Sequence, residues 1–397
     1  MSSDLPAPLK KSADEIWPVD FSLAPCTTTE QCKSQFKLSL HNVLGLHVQY
    51  RDSADGLKTQ RGSIAVGHTK TKLPPVDGLA IDLKTEHMKW EQWRDTLATG
   101  MKAAQEDPKA HLRTLSLRAA DIGFKEFDYG NLQFENLTLK AAANTDGRWE
   151  GSIASTGTNG RFSFTPAAAN RHAELTADLD FLYIPSPEKV DEVLRLAPQT
   201  TESLPSVDLN VKDLRYNNYQ LGALDVVAQN KGEGPNAYWD LTRFELTNDE
   251  MKLIATGRWN AGRGAHSKTS VEATADISDL GDVLDRFNLS QVINDGVGQV
   301  HAQLNWQGAP IDFNTKSLNG NVSVALASGQ ILQVEPGAGR LISLLSLQTL
   351  LRRLTLDFRD VVGQGFVFDT IVTNSAITNG MMPVSYTHLT LPTTERV

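Results

Sequence analysis

The chain has 397 residues, 40% hydrophobic and 21% charged, a composition that folds rather than staying disordered. A formal charge of -9 with no dense run of Lys and Arg offers nothing to a phosphate backbone, which excludes nucleic acid as a partner. Cys26 and Cys32 are too few for a disulfide scaffold and lack His or Cys companions for zinc, so they either staple a turn in an oxidising compartment or stand as free thiols.

Residues 1–34 read as a partial loop and strand region. The opening MSSDLPAPLKKSADEIWPVD has no basic-then-apolar leader and reads as an internal start, and no run of about 18 apolar residues occurs anywhere. From Gln35 to Gly380 short alternating runs broken by Gly, Asn and Asp predict strands. Residues 35–200 form a first stretch of such repeats, with a helix near 90–105 on Trp90, Trp93, Leu97 and Met101, and another near 187–197 after Ser186-Pro187. Within it, Trp149, Gly151 and Ile153 share a face, TGTNG turns the chain, and Phe162 and Phe164 return as a hairpin. Leu175, Ala177, Leu179, Phe181 and Tyr183 then alternate with Glu174, Thr176, Asp178 and Asp180, giving one oily and one wet face.

Residues 201–381 continue the pattern, with Val207, Leu209 and Val211 set against Asp208, Asn210 and Lys212. A helix near 279–294 is expected, capped by Ser278, carrying Leu280, Leu284 and Phe287, and closed by Gly296. Another near 338–353 runs from Leu341 to Leu351 and ends on Arg352 and Arg353, where cations suit the negative helix terminus. WEGSIASTG, LIATGRW and VHAQLNWQG recur as loosely similar strand-then-glycine units, the mark of stacked β repeats rather than separately cored domains. Residues 382–397 abandon the alternation; their SYTHLTLPT string resembles translated sequencing adapter and is read as a non-native tail outside the fold.

No catalytic or metal constellation emerges. Asp178 and Asp180 share the wet face of a strand, and Asp357, Asp360 and Asp369 have no His nearby to complete a transition-metal site, so structural roles are favoured for all five. The histidines form no H-x-x-x-H pair, and the nucleophile-elbow, Walker and dinucleotide signatures are missing. Gly337-Ala338-Gly339 reads as a helix cap rather than a phosphate loop. Trp149, Trp239, Trp259 and Trp306 fall near strand ends, where they either line an apolar cavity or fill a core beside its polar rim. The chain reads as a non-enzyme without a cofactor.

From Leu204 onward the sequence resembles the C-terminal region of the YhdP family of AsmA-like proteins of Gram-negative bacteria. The resemblance is carried by LPSVDLNVKDLRYNNYQLGALDVVAQN, WDLTRFELTNDEMKLIATGRW and, most specifically, PGAGRLISLLSLQTLLRRLTLDFRD followed by GFVFD. It implies a mainly β fold, an elongated, twisted and curled antiparallel sheet of repeated units that forms an apolar groove, with a few short amphipathic helices. It implies a periplasmic segment of a protein anchored in the inner membrane, moving phospholipid between inner and outer membranes, with both membranes reached through segments missing here and with envelope proteins as further partners. Alternation nominates Ile153, Phe162, Leu179, Phe181, Leu209, Val226, Leu241, Leu304, Val324 and Phe368 as lining of that groove, a set that a one-residue register slip would overturn. The alternative is an envelope scaffold or outer-membrane assembly factor in which the oily face is a closed β core.

Overall fold

The computed structural model describes residues 5–26, 32–54, 56–94, 115–129, 132–169, 171–184, 204–216, 219–232, 237–261, 267–286, 293–310, 313, 315–332, 366–382 and 384–390. The expected helices near 187–197 and 338–353, with Gly337-Ala338-Gly339, lie outside these residues, and of the one near 90–105 only 90–94 is described, as helix. Among the described residues the chain is almost entirely strand, arranged in two compact units: Met1–Pro166 with Thr176–Leu196, and Ala167–Leu175 with Ala197–Val397.

The first unit holds β1 (Val19–Pro25), β2 (Ser34–Leu40), β3 (Leu44–Ser53), β4 (Gly56–Val66), β5 (Gly78–Lys89), β6 (Leu117–Tyr129), β7 (Leu132–Ala143), β8 (Trp149–Ala154), β9 (Thr158–Thr165) and most of β10 (Glu174–Ile184). Consecutive strands pair antiparallel from β1 to β4 and from β6 to β9. The sheet is mostly antiparallel, with β4, β5 and β6 running parallel. Parallel neighbours need a crossover connection, supplied by residues 67–77 and by the longer connection after Lys89. The first crossover lies on the polar side of the sheet, where the Lys72 N–H donates to Ser63 Oγ (3.2 Å) and where Ser63 and Ala65 are sealed from solvent. A disulfide joins Cys26 to Cys32, with Cα atoms 5.7 Å apart, and ties the end of β1 to the start of β2.

The second unit is a single antiparallel succession: β11 (Ser206–Tyr216), β12 (Tyr219–Lys231), β13 (Tyr238–Thr247), β14 (Met251–Ala261), β15 (Ser267–Ile277), β16 (Ile293–Gln307), β17 (Asn319–Ile331), β18 (Phe366–Ile377) and β19 (Val384–Thr390). Residues 384–390, within the stretch read as a non-native tail, pair with β18 from Thr370↔Thr390 to Ser375↔Val384. Val, Tyr and Thr favour a pleated backbone, and the free edge of β18 supplies the unpaired donors and acceptors.

Between β15 and β16 sits the helix α1 (Leu280–Arg286), shorter than expected because β16 already begins at Ile293. Its cap is Asp279, whose carboxylate accepts the Asp282 N–H (3.0 Å), and not Ser278, whose hydroxyl donates to the Asp249 carbonyl (3.1 Å). Gly296 does not close the helix either; it lies inside β16 with φ +99°.

Strict alternation fails where a residue in a strand adopts the left-handed region. Asn136 (φ 53°) in β7 and Ser328 (φ 55°) in β17 each interrupt the pairing by one position. Beyond such a crease the facing reverses, so Phe124 and Phe127, three residues apart, stack on the same side with ring centroids 5.2 Å apart. In the second unit the crease brings Phe368, fully buried, against Leu326 and Ile371, with Leu280 of α1 beside them. Gly329, paired with Phe368, leaves the ring its space: a Cβ there would stand 2.5 Å from Phe368 Cζ and 3.3 Å from Gly296 Cα. Gly329→Ala is therefore expected to destabilise the second unit by about 1–3 kcal/mol through overpacking, measured as a lower denaturation midpoint with faster amide exchange in β16–β18. Unchanged exchange there would show that the ring has room to move.

Candidate functional site: a two-sided sheet with an open apolar face

Reading across the paired registers converts the alternation into rows. In the second unit one row runs Leu209–Val226–Phe244–Ala255–Ala273–Ala302–Val322, and the next runs Val211–Leu224–Leu246–Leu253–Ala275–Val300–Val324. A third runs Val207–Ala228–Leu241–Gly257–Val271–Leu304–Gly320. Leu209, Val226, Leu241, Leu304 and Val324 thus share one face, and Phe368 joins it through the crease. The opposite face carries Asp208, Asn210, Arg243, Thr256, Glu272, Gln303 and Asn321.

In the first unit Leu38–Leu46–Ile64–Ile81–Ala120–Ala141–Gly151–Phe162 forms an equivalent row. Leu40–Leu44–Val66–Leu83–Ile122–Leu139–Ile153–Gly160 is its neighbour, and Leu179 packs over Gly160. Phe181 lies two residues along β10 from Leu179 and is half-buried; its carbonyl accepts the Thr158 hydroxyl (3.1 Å). Tyr183, expected on the same face, is exposed. Leu46, Ile64, Ile81, Phe244, Val271 and Val300 were not among the nominated residues; Phe244, Val271 and Val300 sit between polar neighbours and the same pattern could have found them, whereas Ile64 and Ile81 each have an alanine on one side that blurs the alternation.

The distribution of burial is uneven in the second unit. Within these rows Val211, Leu224, Ala228 and Leu246, on β11–β13, are buried, whereas Leu209, Val226, Val271, Leu304 and Val324 are only half-buried. The margins are closed. Along one margin Asn230, Trp239, Trp259, Thr269 and Trp306 make a row, with Trp259 at 3% and Trp306 at 7% exposure. Each indole N–H is satisfied locally, Trp239 donating to the Pro205 carbonyl (3.1 Å), Trp259 to Ser267 Oγ (3.0 Å) and Trp306 to the Ala309 carbonyl (3.1 Å). Of the two roles open to these tryptophans, the structure gives them the rim of a core, where an apolar body meets a polar partner.

Along the other margin lie Ile277, Leu326, Ile371 and α1, which buries Val283. Arg286 latches this helix: Nε and Nη2 donate to the two carboxylate oxygens of Glu250 (2.8 and 2.6 Å), and Nη1 donates to the Gln220 carbonyl (2.9 Å). The hydrogen bonds from Arg286 hold the Glu250 carboxyl below its usual range, outweighing the opposing effect of burial, with the Arg286 charge adding to them.

The aspartates weighed as catalytic or metal-binding do not converge. Asp178 and Asp180 are exposed on the polar side, where Asn159 Nδ2 donates to Asp180 (2.9 Å); Asp369 is exposed in β18, and Asp357 and Asp360 lie outside the described residues. Among the described residues no group of three His, Cys, Asp or Glu side chains could hold a metal, and no helix is long and apolar enough to cross a membrane.

A family model described as YhdP protein matches residues 1–393. The curated protein "Intermembrane phospholipid transporter YhdP" of Escherichia coli (strain K12) is 24% identical over 391 residues, covering 96% of this chain and 29% of that protein, so the chain spans less than a third of this relative's length. No solved structure matches.

Glu250 sets a pH dependence for the latched margin. Its folded pKa lies below the ordinary value of 4.5, so its contribution is fully present above that value and is lost as pH falls through the depressed one. Thermal melts should show Glu250→Gln about 1 kcal/mol less stable at neutral pH, with the difference from the parent vanishing in acid. A gap that stays constant down to strongly acidic pH would rule out the ionised pair as its source.

Proposed function

Because the chain belongs to the YhdP family, we propose that it is a lipid-binding segment of an envelope protein, moving phospholipids between inner and outer membranes along its apolar face. The observation that carries this reading is the half-buried middle of that face, held between margins that the chain seals for itself. Water against rows of Val, Leu and Phe is unfavourable by about 25 cal/mol per Å². An acyl chain laid there removes two apolar surfaces from water at once. A chain of about 16 carbons free in water costs roughly 12 kcal/mol at about 0.8 kcal/mol per CH₂, which makes unassisted crossing of an aqueous gap prohibitively rare.

In this reading Ile153, Phe162, Leu179 and Phe181 line the apolar face of the first unit, and Leu209, Val226, Leu241, Leu304, Val324 and Phe368 line that of the second. Ala255, Ala273 and Ala302 give it a shallow floor, and the headgroup stays in water. Conduction of this kind calls on no acid, base, nucleophile, metal or cofactor. The Cys26–Cys32 disulfide suits an oxidising compartment, as the periplasm is. The scaffold alternative requires a closed core, and half-buried Leu209, Val271 and Leu304 weigh against it.

A photo-crosslinking amino acid at Leu209 or Leu304 should capture phospholipid in cells, whereas the same group at Asp208 or Gln303 should not. Equal capture on both faces would remove the basis for the groove. Leu304→Glu should abolish capture at Leu209 if the rows form one path, without altering the measured strand content.

A further inference from the structure

The polar side of β2–β4 departs from the charge pairing found elsewhere on the sheet, where cations meet carboxylates across strands, as Arg243 meets Asp225 and Arg258 meets Asp240. Two adjoining rows of the first unit, Ser22–Lys37–His47–Ser63–Ala80 and Ala24–Gln35–Gln49–Arg61–Gly78, hold no carboxylate. The crossover after β4 lies against them: the Lys72 N–H donates to Ser63 Oγ (3.2 Å), and a Cβ on Gly45 would stand 2.5 Å from the Thr69 carbonyl oxygen. That crossover adds Lys70 and Lys72. Lys37, Arg61, Lys70 and Lys72 join no ion pair among the described residues, and Asp82 in the next row is already met by His68 (3.1 Å) and Lys84 (3.9 Å).

Arg61 is the anomaly within this group. Its Nε is sealed from solvent and has no hydrogen-bond partner among the described residues, and neither has Gln49 Oε1 on the residue paired with it. A half-buried guanidinium without an acceptor is unfavourable, and like charges beside it make it more so. His47 registers that field: burial holds its imidazole below the ordinary value of 6.5, and Lys37 and Arg61 push it the same way. Its Nε2–H donates to Gln35 Oε1 (3.1 Å), which leaves Nδ1 able to take a proton. In a chain of net charge -9, a knot of cations that the protein itself leaves uncompensated is a place for an external anion.

We propose that Lys37, His47 and Arg61, with Lys72 of the crossover beside them, bind a phosphate group. The guanidinium fork of Arg61 suits two oxygens of a tetrahedral anion, and the ammonium of Lys37 acts on it as a point charge. Several uncompensated cations are matched by the charge of a phosphate better than by the single charge of a carboxylate. The cluster is two rows and one crossover wide, which fits one such group rather than the repeated phosphates of a nucleic-acid backbone. Free phosphate and the headgroup of a phospholipid share this chemistry. The site does not rest on the lipid path, because Lys37, His47 and Arg61 lie on the face opposite to Leu38, Leu46 and Ile64.

The test is calorimetric titration of the full chain with inorganic phosphate at constant ionic strength, with co-sedimentation on phosphatidylcholine vesicles containing phosphatidic acid as a second arm. Binding of inorganic phosphate identifies a solute site; binding of the vesicles alone identifies a headgroup site. In either arm Arg61→Gln should weaken binding by about tenfold, and Lys37→Gln, at an exposed side chain, should weaken it too. Arg243→Gln, at a cation already paired, should leave it unchanged. A bound anion offsets Lys37 and Arg61, so the His47 titration followed by NMR should move upward in phosphate, and should not respond to phosphate in Arg61→Gln. Arg61→Gln also relieves repulsion and should melt no lower than the parent, which separates a binding role from a structural one. Lipid capture at Leu209 should be the same with and without Arg61, so this site and the lipid path fail separately. No binding in either arm, full binding by both variants, or equal affinity for chloride would each overturn the proposal.

Discussion

Everything in this chain depends on cross-strand register. A strand carries two sets of side chains on opposite faces, and each paired neighbour must place its apolar set on the same side for a row to continue. The rows from Leu209 to Val322 and from Leu38 to Phe162 are that condition met at every successive pairing. With rows in place, the apolar face, its tryptophan rim and the α1 margin follow; a one-residue slip at any pair would put a carboxylate or an amide into the middle of the face. The packing of the core and the continuity of the apolar face therefore rest on the same constraint.

That constraint also explains why the best-buried residues are not in the centre. A two-layer protein buries its middle and exposes its edges. Here Phe368 and Trp259 reach near-complete burial at a crease and a margin, Val211 does so within a row on β11, and Ser63 and Ala65 do so beneath a crossover on the polar side, whereas Leu209 and Leu304 stay half-buried. The chain invests its packing in fixing the borders of the face.

Much of this was legible in the sequence. The β8–β9 hairpin, the faces of β10 and β11, and the shared side of Leu209, Val226, Leu241, Leu304 and Val324 follow from alternation, most clearly at Leu209, Leu241 and Leu304, which have polar residues on both sides. Strand direction was not legible, since alternation is the same for parallel and antiparallel neighbours and only the crossovers distinguish β4–β6. The α1 cap was misplaced by one residue because Ser278 and Asp279 are both good caps, and their distinct partners are set by tertiary neighbours. β19 was missed because a strand at an edge takes its pairing from β18 rather than from its own pattern. Half-burial of the middle rows has no sequence signature at all, for the same residues would serve a closed core.

The left-handed residues at Asn136 and Ser328 carry a consequence for the shape of the rows. The pairing keeps one register on either side of each crease, so the paired strands turn over together and no residue is gained or lost against a neighbour. Side chains an odd number of positions apart can then share a side, as Phe124 and Phe127 do, and an apolar row continues past a point where strict alternation would end it.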